Sequence, residues 1–218
     1  MGISVSMKYL FIMSADLKKA TQKPKYSFVL ASGSPRRKEL LASLLENFKV
    51  ETSDVSELKV HPDGPIALAM ENARLKASSV SQRYPDKWVL GADTLVVLGN
   101  DSLGKPINLA EAKSMLIRLS GKTHSVHTGV CLVNRSQEIE NCKVVSSLVS
   151  FKVLDDSTIE EYFQVVNPLD KAGAYALQTR ADLIVCSFEG SRSNVIGLPM
   201  ELLRTWFDQL DIVTLNKS

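Results

Sequence analysis

The spacing of apolar residues changes several times along the chain, and each change marks an element. Phe28–Ala31 is a short continuous apolar run that suits a buried strand. It breaks at Ser32, Gly33 and Ser34, and Leu40, Leu41, Leu44 and Leu45 then recur at helical spacing. Ser34 is a good N-cap and Pro35 is favoured at the first helical position, so this helix begins at Pro35. A short strand is expected over 48–52, followed by a polar, acidic loop over 53–57. Pro65 opens a helix to about Gln82 with Ile66, Ala69, Met70, Ala73, Ala77 and Val80 along one stripe. On this spacing Lys76 reads as a solvated helix residue.

Residues 87–99 form the most apolar stretch, with the pattern of a strand buried on both faces and a single charge, Asp93, in its middle. Without a partner such an acid is costly to bury, so Asp93 is paired, hydrogen-bonded to Thr94 or nearby backbone, or bound to a metal. Gly91 and Ala92 beside it leave room for a ligand to approach the backbone. Residues 100–104 read as a turn, and Asn108 with Glu111 as a capping box for a helix to Leu119 that stops at Gly121.

Residues 124–134 and 142–154 read as an antiparallel strand pair joined by a polar connection over 134–141. His124 and His127, three apart, fall on opposite strand faces and make a poor joint metal site. Ser157 and Glu160 predict a capped helix to about Val166, ended by Pro168. Residues 170–178 combine small residues with a charged pair and end in Gln178; structural turn and ligand loop are equally good local readings. A strand over 183–188, a polar loop over 190–194, a stop at Gly197 and Pro199, and a helix over 200–210 packed through Leu202, Leu203, Trp206 and Leu210 complete the pattern.

A length of 218 residues suits one substantial α/β domain, or a domain with a lobe. A net charge of only +2 counts against a general polyanion binder, which concentrates basic excess, so local charge carries more information. The strand–turn–helix at 28–41 provides such a place. Backbone N–H groups and the positive helix end meet Arg36 and Arg37, a combination suited to phosphate, although a solvated pair of surface arginines is an equal local reading. The three cysteines, Cys131, Cys142 and Cys186, have neither metal-ligand spacing nor the even count of a disulfide framework. They are expected as reduced core thiols of an intracellular protein. No run approaches the roughly 18 apolar residues of a membrane span.

Seven segments, in this order, resemble the Maf family of nucleoside triphosphate pyrophosphatases within the wider ITPase-like group: Leu30-Ala-Ser-Gly-Ser-Pro-Arg-Arg37, Ala73-Arg-Leu-Lys-Ala77, Gly91-Ala-Asp-Thr94, Gly104-Lys-Pro106, His124-Ser-Val-His-Thr-Gly129, Asp170-Lys-Ala-Gly-Ala-Tyr-Ala-Leu-Gln178 and Gly197-Leu-Pro199. The resemblance implies an ITPase-like α/β fold, a central mixed twisted sheet flanked by helices, with a nucleotide cleft between two lobes. It places the pyrophosphatase domain at 26–212, between a flexible extension over 1–25 and a tail over 213–218. It implies Asp93 as catalytic residue, Ser34, Arg36, Arg37, Lys76, Lys105 and Gln178 as substrate contacts, and Glu57 with Asp93 as ligands of a divalent cation (Mg2+, Mn2+ or Co2+). Where the family often carries two consecutive acids this chain has Ser56 and Glu57, with Asp54 as a nearby substitute. The motifs resemble the branch acting on dTTP and UTP more than that acting on N7-methyl-GTP; a terminal amide such as Gln178 pairs with a pyrimidine edge. A cytoplasmic homodimer without nucleic-acid or membrane partners is the accompanying expectation. The reading from another class is a nucleotide-binding regulator without turnover.

Overall fold

The computed structural model describes residues 27–215; the extension expected over 1–25 and the last three residues of the tail lie outside them. Among the described residues seven strands form one mixed sheet: β1 (Phe28–Ala31), β2 (Lys49–Val50), β3 (Trp88–Leu98), β4 (Asp101–Leu103), β5 (Thr123–Asn134), β6 (Ile139–Phe151) and β7 (Val185–Glu189). Their order is β2-β1-β3-β5-β6-β7, with β4 paired to β3. The helices are α1 (Pro35–Ala42), α2 (Gly64–Arg83), α3 (Leu109–Leu119), α4 (Asp156–Val165), α5 (Ala181–Ile184), α6 (Arg192–Ile196) and α7 (Met200–Gln209). None in the described residues is long and apolar enough to cross a membrane.

The register of β3 explains where the sheet opens. Its first half pairs in parallel with β1 as far as Ala31 opposite Gly91, and its end pairs with β4 from Val96 onward. Between those points β1 has turned away at Ser32 and β4 has not begun, so residues 92–95 keep a strand neighbour only on the β5 side, where Asp93 faces Gly129. A crevice beyond the carboxyl end of a strand such as β1 is the usual ligand position in open α/β sheets.

Two large cores flank this opening. One gathers Phe28, Leu30, Leu41, Leu44, Leu90, Leu132, Leu203 and Phe207 from β1, α1 and the turn after it, β3, β5 and α7. The other gathers Val96, Leu116, Leu119, Val149, Ile159, Tyr162 and Ile184 around α3, α4 and the far ends of β3, β5 and β6. On the opposite face of β3 and β5 lies α2, whose Ala73 and Ala77 pack against Cys131 and Val133. Contact is close because two strand positions lack side chains. A Cβ on Gly91 would stand 2.3 Å from Ala73 O, and one on Gly129 would stand 2.2 Å from Ala69 O. Gly91 therefore admits a helix rather than the ligand expected there, and Ala92 belongs to the first core. Gly129→Ala is expected to destabilise the fold by roughly 3 kcal/mol, because backbone must move, lowering the melting temperature by about 6–12 °C in thermal unfolding. An unchanged transition would contradict this packing.

Several local expectations are corrected. Residues 100–104 are not a free turn, since Asp101–Leu103 pairs back onto β3. The cap of α4 is Asp155, whose carboxylate accepts from Thr158 N–H at 2.8 Å, while Ser157 donates to that carboxylate. The expected strand over 183–188 is split between α5 and β7, and α6, capped by Ser191, begins inside the stretch expected as a loop over 190–194. Cys131 and Cys142 are not reduced thiols: β5 and β6 set them directly opposite each other and they form a disulfide, while Cys186 is exposed rather than in the core. The thiol argument for an intracellular compartment accordingly loses its basis.

Candidate active site

The turn after β1 has the predicted local chemistry. Ser34 caps α1, its hydroxyl accepting from Arg37 N–H at 3.4 Å, and Ser34 N–H donates to Ser32 Oγ at 3.2 Å. Among the described residues the N–H groups of Gly33 and Arg36 have no acceptor, as the first donors of a helix lack intrahelical partners. The two arginines diverge. Arg37 spends three of its five N–H donors on the protein, giving Nε to Gly197 O (2.8 Å), one terminal nitrogen to Ser32 Oγ (3.2 Å) and the other to Thr94 Oγ1 (3.0 Å). It thereby braces the turn against β3 and the segment before α7, and burial pushes its pKa down. Arg36 reaches across the opening to Asp170, at 2.6 Å from Oδ2 and 3.2 Å from the carbonyl oxygen.

Strand periodicity puts Asp93 on the same face as Val89 and Gly91, under α2, which carries Asn72 and Lys76 one helical turn apart on the facing side. Lys76 Nζ donates to Asp93 Oδ1 at 2.7 Å and meets Glu57 Oε1 at 3.0 Å. With 8% exposure it is not the solvated helix residue that spacing alone suggests. Asp93, 6% exposed, is thus paired, with its second oxygen accepting from Asn72 Nδ2 at 3.3 Å. Of the alternatives open from sequence the charge partner is realised; the hydrogen bond comes from Asn72 and not from Thr94, whose Oγ1 meets Arg37 and Thr128. Thr128 is fully buried and donates to Asn194 O. Glu57 comes from a segment without regular structure and stays half exposed. Asp54, the possible substitute acid, points to Arg83 at 3.6 Å and does not line the cleft.

The far wall is built by β4 and residues 170–178. Gly173 N–H donates to Gly104 O at 3.0 Å, which joins the segment carrying Lys105 to this wall. Burial would raise the Asp170 carboxyl, but hydrogen bonds from Lys171 and Arg36 hold it below its ordinary value. Lys105 and Gln178 are exposed, with no hydrogen bond or ion pair among the described residues. Behind the wall, Tyr175 is fixed by a 2.8 Å bond between its hydroxyl and His124 Nε2. Burial pushes His124 down to about 4 and raises the Tyr175 hydroxyl. His127 bonds Ser125 and Ser146 instead, so the two histidines are apart, as their spacing requires.

Ser34, Arg36, Arg37, Glu57, Lys76, Asp93, Lys105 and Gln178, the residues that the motif resemblance marks as site residues, all line one cleft of about 830 Å3. Six cationic side chains against three acids line it, an excess of three in a chain whose net charge is +2. Such concentration of charge suits a small polyanion, and the volume lies within the roughly 300–1,000 Å3 of small-molecule sites. The buried Lys76–Asp93 pair beside the exposed Glu57 places two carboxylates and an ammonium within reach of each other, groups of the kind that proton transfer and charge stabilisation require. Sequence reading missed Asn72, a mid-helix amide without a pattern of its own, and Asp170 as the partner of Arg36. The one signal for Asn72 is its position four residues before Lys76.

The family described as Maf-like protein matches residues 27–210. Among curated proteins, the dTTP/UTP pyrophosphatase of Myxococcus xanthus (strain DK1622) is 47% identical over 172 residues, covering 79% of this chain and 86% of that protein. The dTTP/UTP pyrophosphatase of Thermococcus kodakarensis (strain ATCC BAA-918 / JCM 12380 / KOD1) is 43% identical over 176 residues, covering 80% and 92% respectively. Among solved structures, the Staphylococcus aureus Ham1 protein aligns with a TM-score of 0.48 and 15% identity, over 84% of this chain and 98% of that one.

Proposed function

The chain belongs to the Maf-like family, and we propose that it is a nucleoside triphosphate pyrophosphatase that hydrolyses dTTP and UTP to the monophosphate and pyrophosphate. The observation that carries this reading is the buried Lys76–Asp93 pair, set in the gap of the sheet between β1 and β4 and opening on a cationic cleft.

Water attacking a triphosphate meets oxygens that already carry negative charge, so the protein must neutralise charge, align the attack and accept a proton. Arg36, Lys76 and Lys105 are the neutralising groups. Ser34 and the Gly33 and Arg36 N–H groups, which have no acceptor among the described residues, supply directional contacts, and Arg37 adds the two donors left after bracing the turn. Phosphate oxygens would compete with Asp170 for Arg36 and with the carboxylates for Lys76. Asp93 takes the proton as the water oxygen bonds to the α-phosphorus, and the bond from that phosphorus to the bridging oxygen breaks with its electron pair leaving on pyrophosphate. Gln178 on the far wall faces the base through its amide.

The donor set also fits a hard divalent cation. Glu57 and Asp93 converge on one ammonium, 3.0 and 2.7 Å from Lys76 Nζ, so two carboxylates address the same part of the cleft, and Mg2+ is commonly held by one or two carboxylates plus substrate phosphates. Mg2+, Mn2+ or Co2+ held by Glu57 and Asp93 would withdraw charge from phosphate oxygens and make water more acidic. We also place the protein in the cytoplasm as a homodimer, with neither nucleic acid nor membrane among its partners. The motif resemblance supports the compartment and the homodimer, and a net charge of only +2 counts against a polyanion such as nucleic acid.

A triphosphate panel tests the assignment. In Mg2+ or Mn2+, dTTP and UTP are expected to give monophosphate and pyrophosphate faster than purine triphosphates do. A higher rate on N7-methyl-GTP would overturn the pyrimidine choice, and binding without product would favour a regulator.

A further inference from the structure

Asn72 is 2% exposed and bonded on three sides. Its Oδ1 accepts from Leu58 N–H at 2.8 Å, and its Nδ2 donates to Leu58 O at 3.0 Å and to Asp93 Oδ2 at 3.3 Å. One amide therefore clamps both backbone groups of a single loop residue and joins them to the buried carboxylate. The adjoining residue is Glu57. Residues 53–57 have no helix or strand to hold them, and among the described residues Leu58 is the only one of 53–60 whose backbone N–H is hydrogen-bonded. Asp93, by contrast, lies on the longest-buried part of β3, and Asn72 on the middle of α2.

We propose that Asn72 is a positioning residue that fixes the Glu57 segment to Asp93, so that the two carboxylates act as one cation-holding site. The proposal rests on the pyrophosphatase reading for its purpose, but the clamp is testable without turnover. An amide in this position uses both of its N–H groups and one acceptor lone pair, which no aliphatic, hydroxyl or carboxylate side chain of similar size reproduces. A loop ligand otherwise loses order on release, and partners that orient metal ligands typically change affinity by roughly 10- to 100-fold when removed.

The experiment compares Mn2+ binding, read by electron paramagnetic resonance with Mn2+ alone, in wild type, Asn72→Leu, Glu57→Gln and the double variant. Asn72→Leu is expected to bind roughly 10- to 100-fold more weakly, and the double variant no more weakly than Glu57→Gln, because Asp93 keeps its place on β3 and its bond from Lys76 without the clamp, whereas the Glu57 carboxylate does not. Full affinity in Asn72→Leu, losses that multiply in the double variant, or a wild type that binds no Mn2+ would overturn the proposal. Asn72→Ser serves the same comparison if leucine prevents folding. Hydrogen exchange on wild type supplies a mutation-free check: Leu58 N–H exchanges more slowly than its neighbours in 53–57, and equal rates would overturn the clamp. A wild type that binds Mn2+ but releases no pyrophosphate refutes the function and leaves the Asn72 result standing.

Discussion

Asp93→Asn is expected to lower pyrophosphate release from dTTP by roughly 10^3-fold, within the range assigned to a positioned general base, while dTTP binding changes little. The substitution keeps the shape of the side chain and the place of β3 between β1 and β5. It removes the negative charge and the capacity to hold a proton taken from water. It also creates a local conflict. Both neighbours of Asp93, Lys76 Nζ and Asn72 Nδ2, are donors, so an amide offers an oxygen to one and an N–H to the other. One mismatched donor costs about 1–3 kcal/mol of stability, so folding is measured beside rate. Isothermal binding of a non-hydrolysable dTTP analogue separates the two effects. Wild-type turnover in a folded variant would remove Asp93 from the chemistry.

Lys76→Met is the second large effect, an expected fall in kcat/KM of roughly 10^2- to 10^3-fold, the cost of losing one preorganised group aimed at developing charge. Methionine retains the apolar stem that α2 buries but leaves Asp93 and Glu57 without the ammonium between them. Because those carboxylates then oppose a polyanionic substrate, the loss is expected in KM as well as kcat. Steady-state kinetics on dTTP check this. Lys76→Arg should not restore wild-type rate, since a planar fork does not fit a point-charge position between two carboxylates. A methionine variant with unchanged KM and kcat would show that Lys76 only stabilises the fold.

These two residues also show how far the sequence could be read. Asp93 was legible because a charge inside an apolar run demands a partner. Lys76 was not, because helical spacing alone could not say that Gly91 and Gly129 draw α2 so close to β3 that a lysine on its edge becomes buried. Resemblance to known motifs supplied that residue. Ser34 and Pro35 marked the start of α1 because capping is a local effect, whereas α6 was hidden in a polar run, where Ser191 caps a helix with little apolar stripe. The disulfide was missed through register. A connection over 134–141 would set Cys131 away from Cys142, but the hairpin closes tighter, with Asn134 opposite Ile139, and that brings the cysteines face to face. Short β4 escaped notice because three residues carry no period, although its pairing with β3, from Leu103 opposite Val96, defines one side of the cleft.

The measurement closest to the central claim is hydrolysis of dTTP in 18O-labelled water, with label located by mass spectrometry. Attack at the α-phosphorus under Asp93 places one 18O in dTMP and none in pyrophosphate. Label in pyrophosphate, or release of orthophosphate in its place, would contradict it.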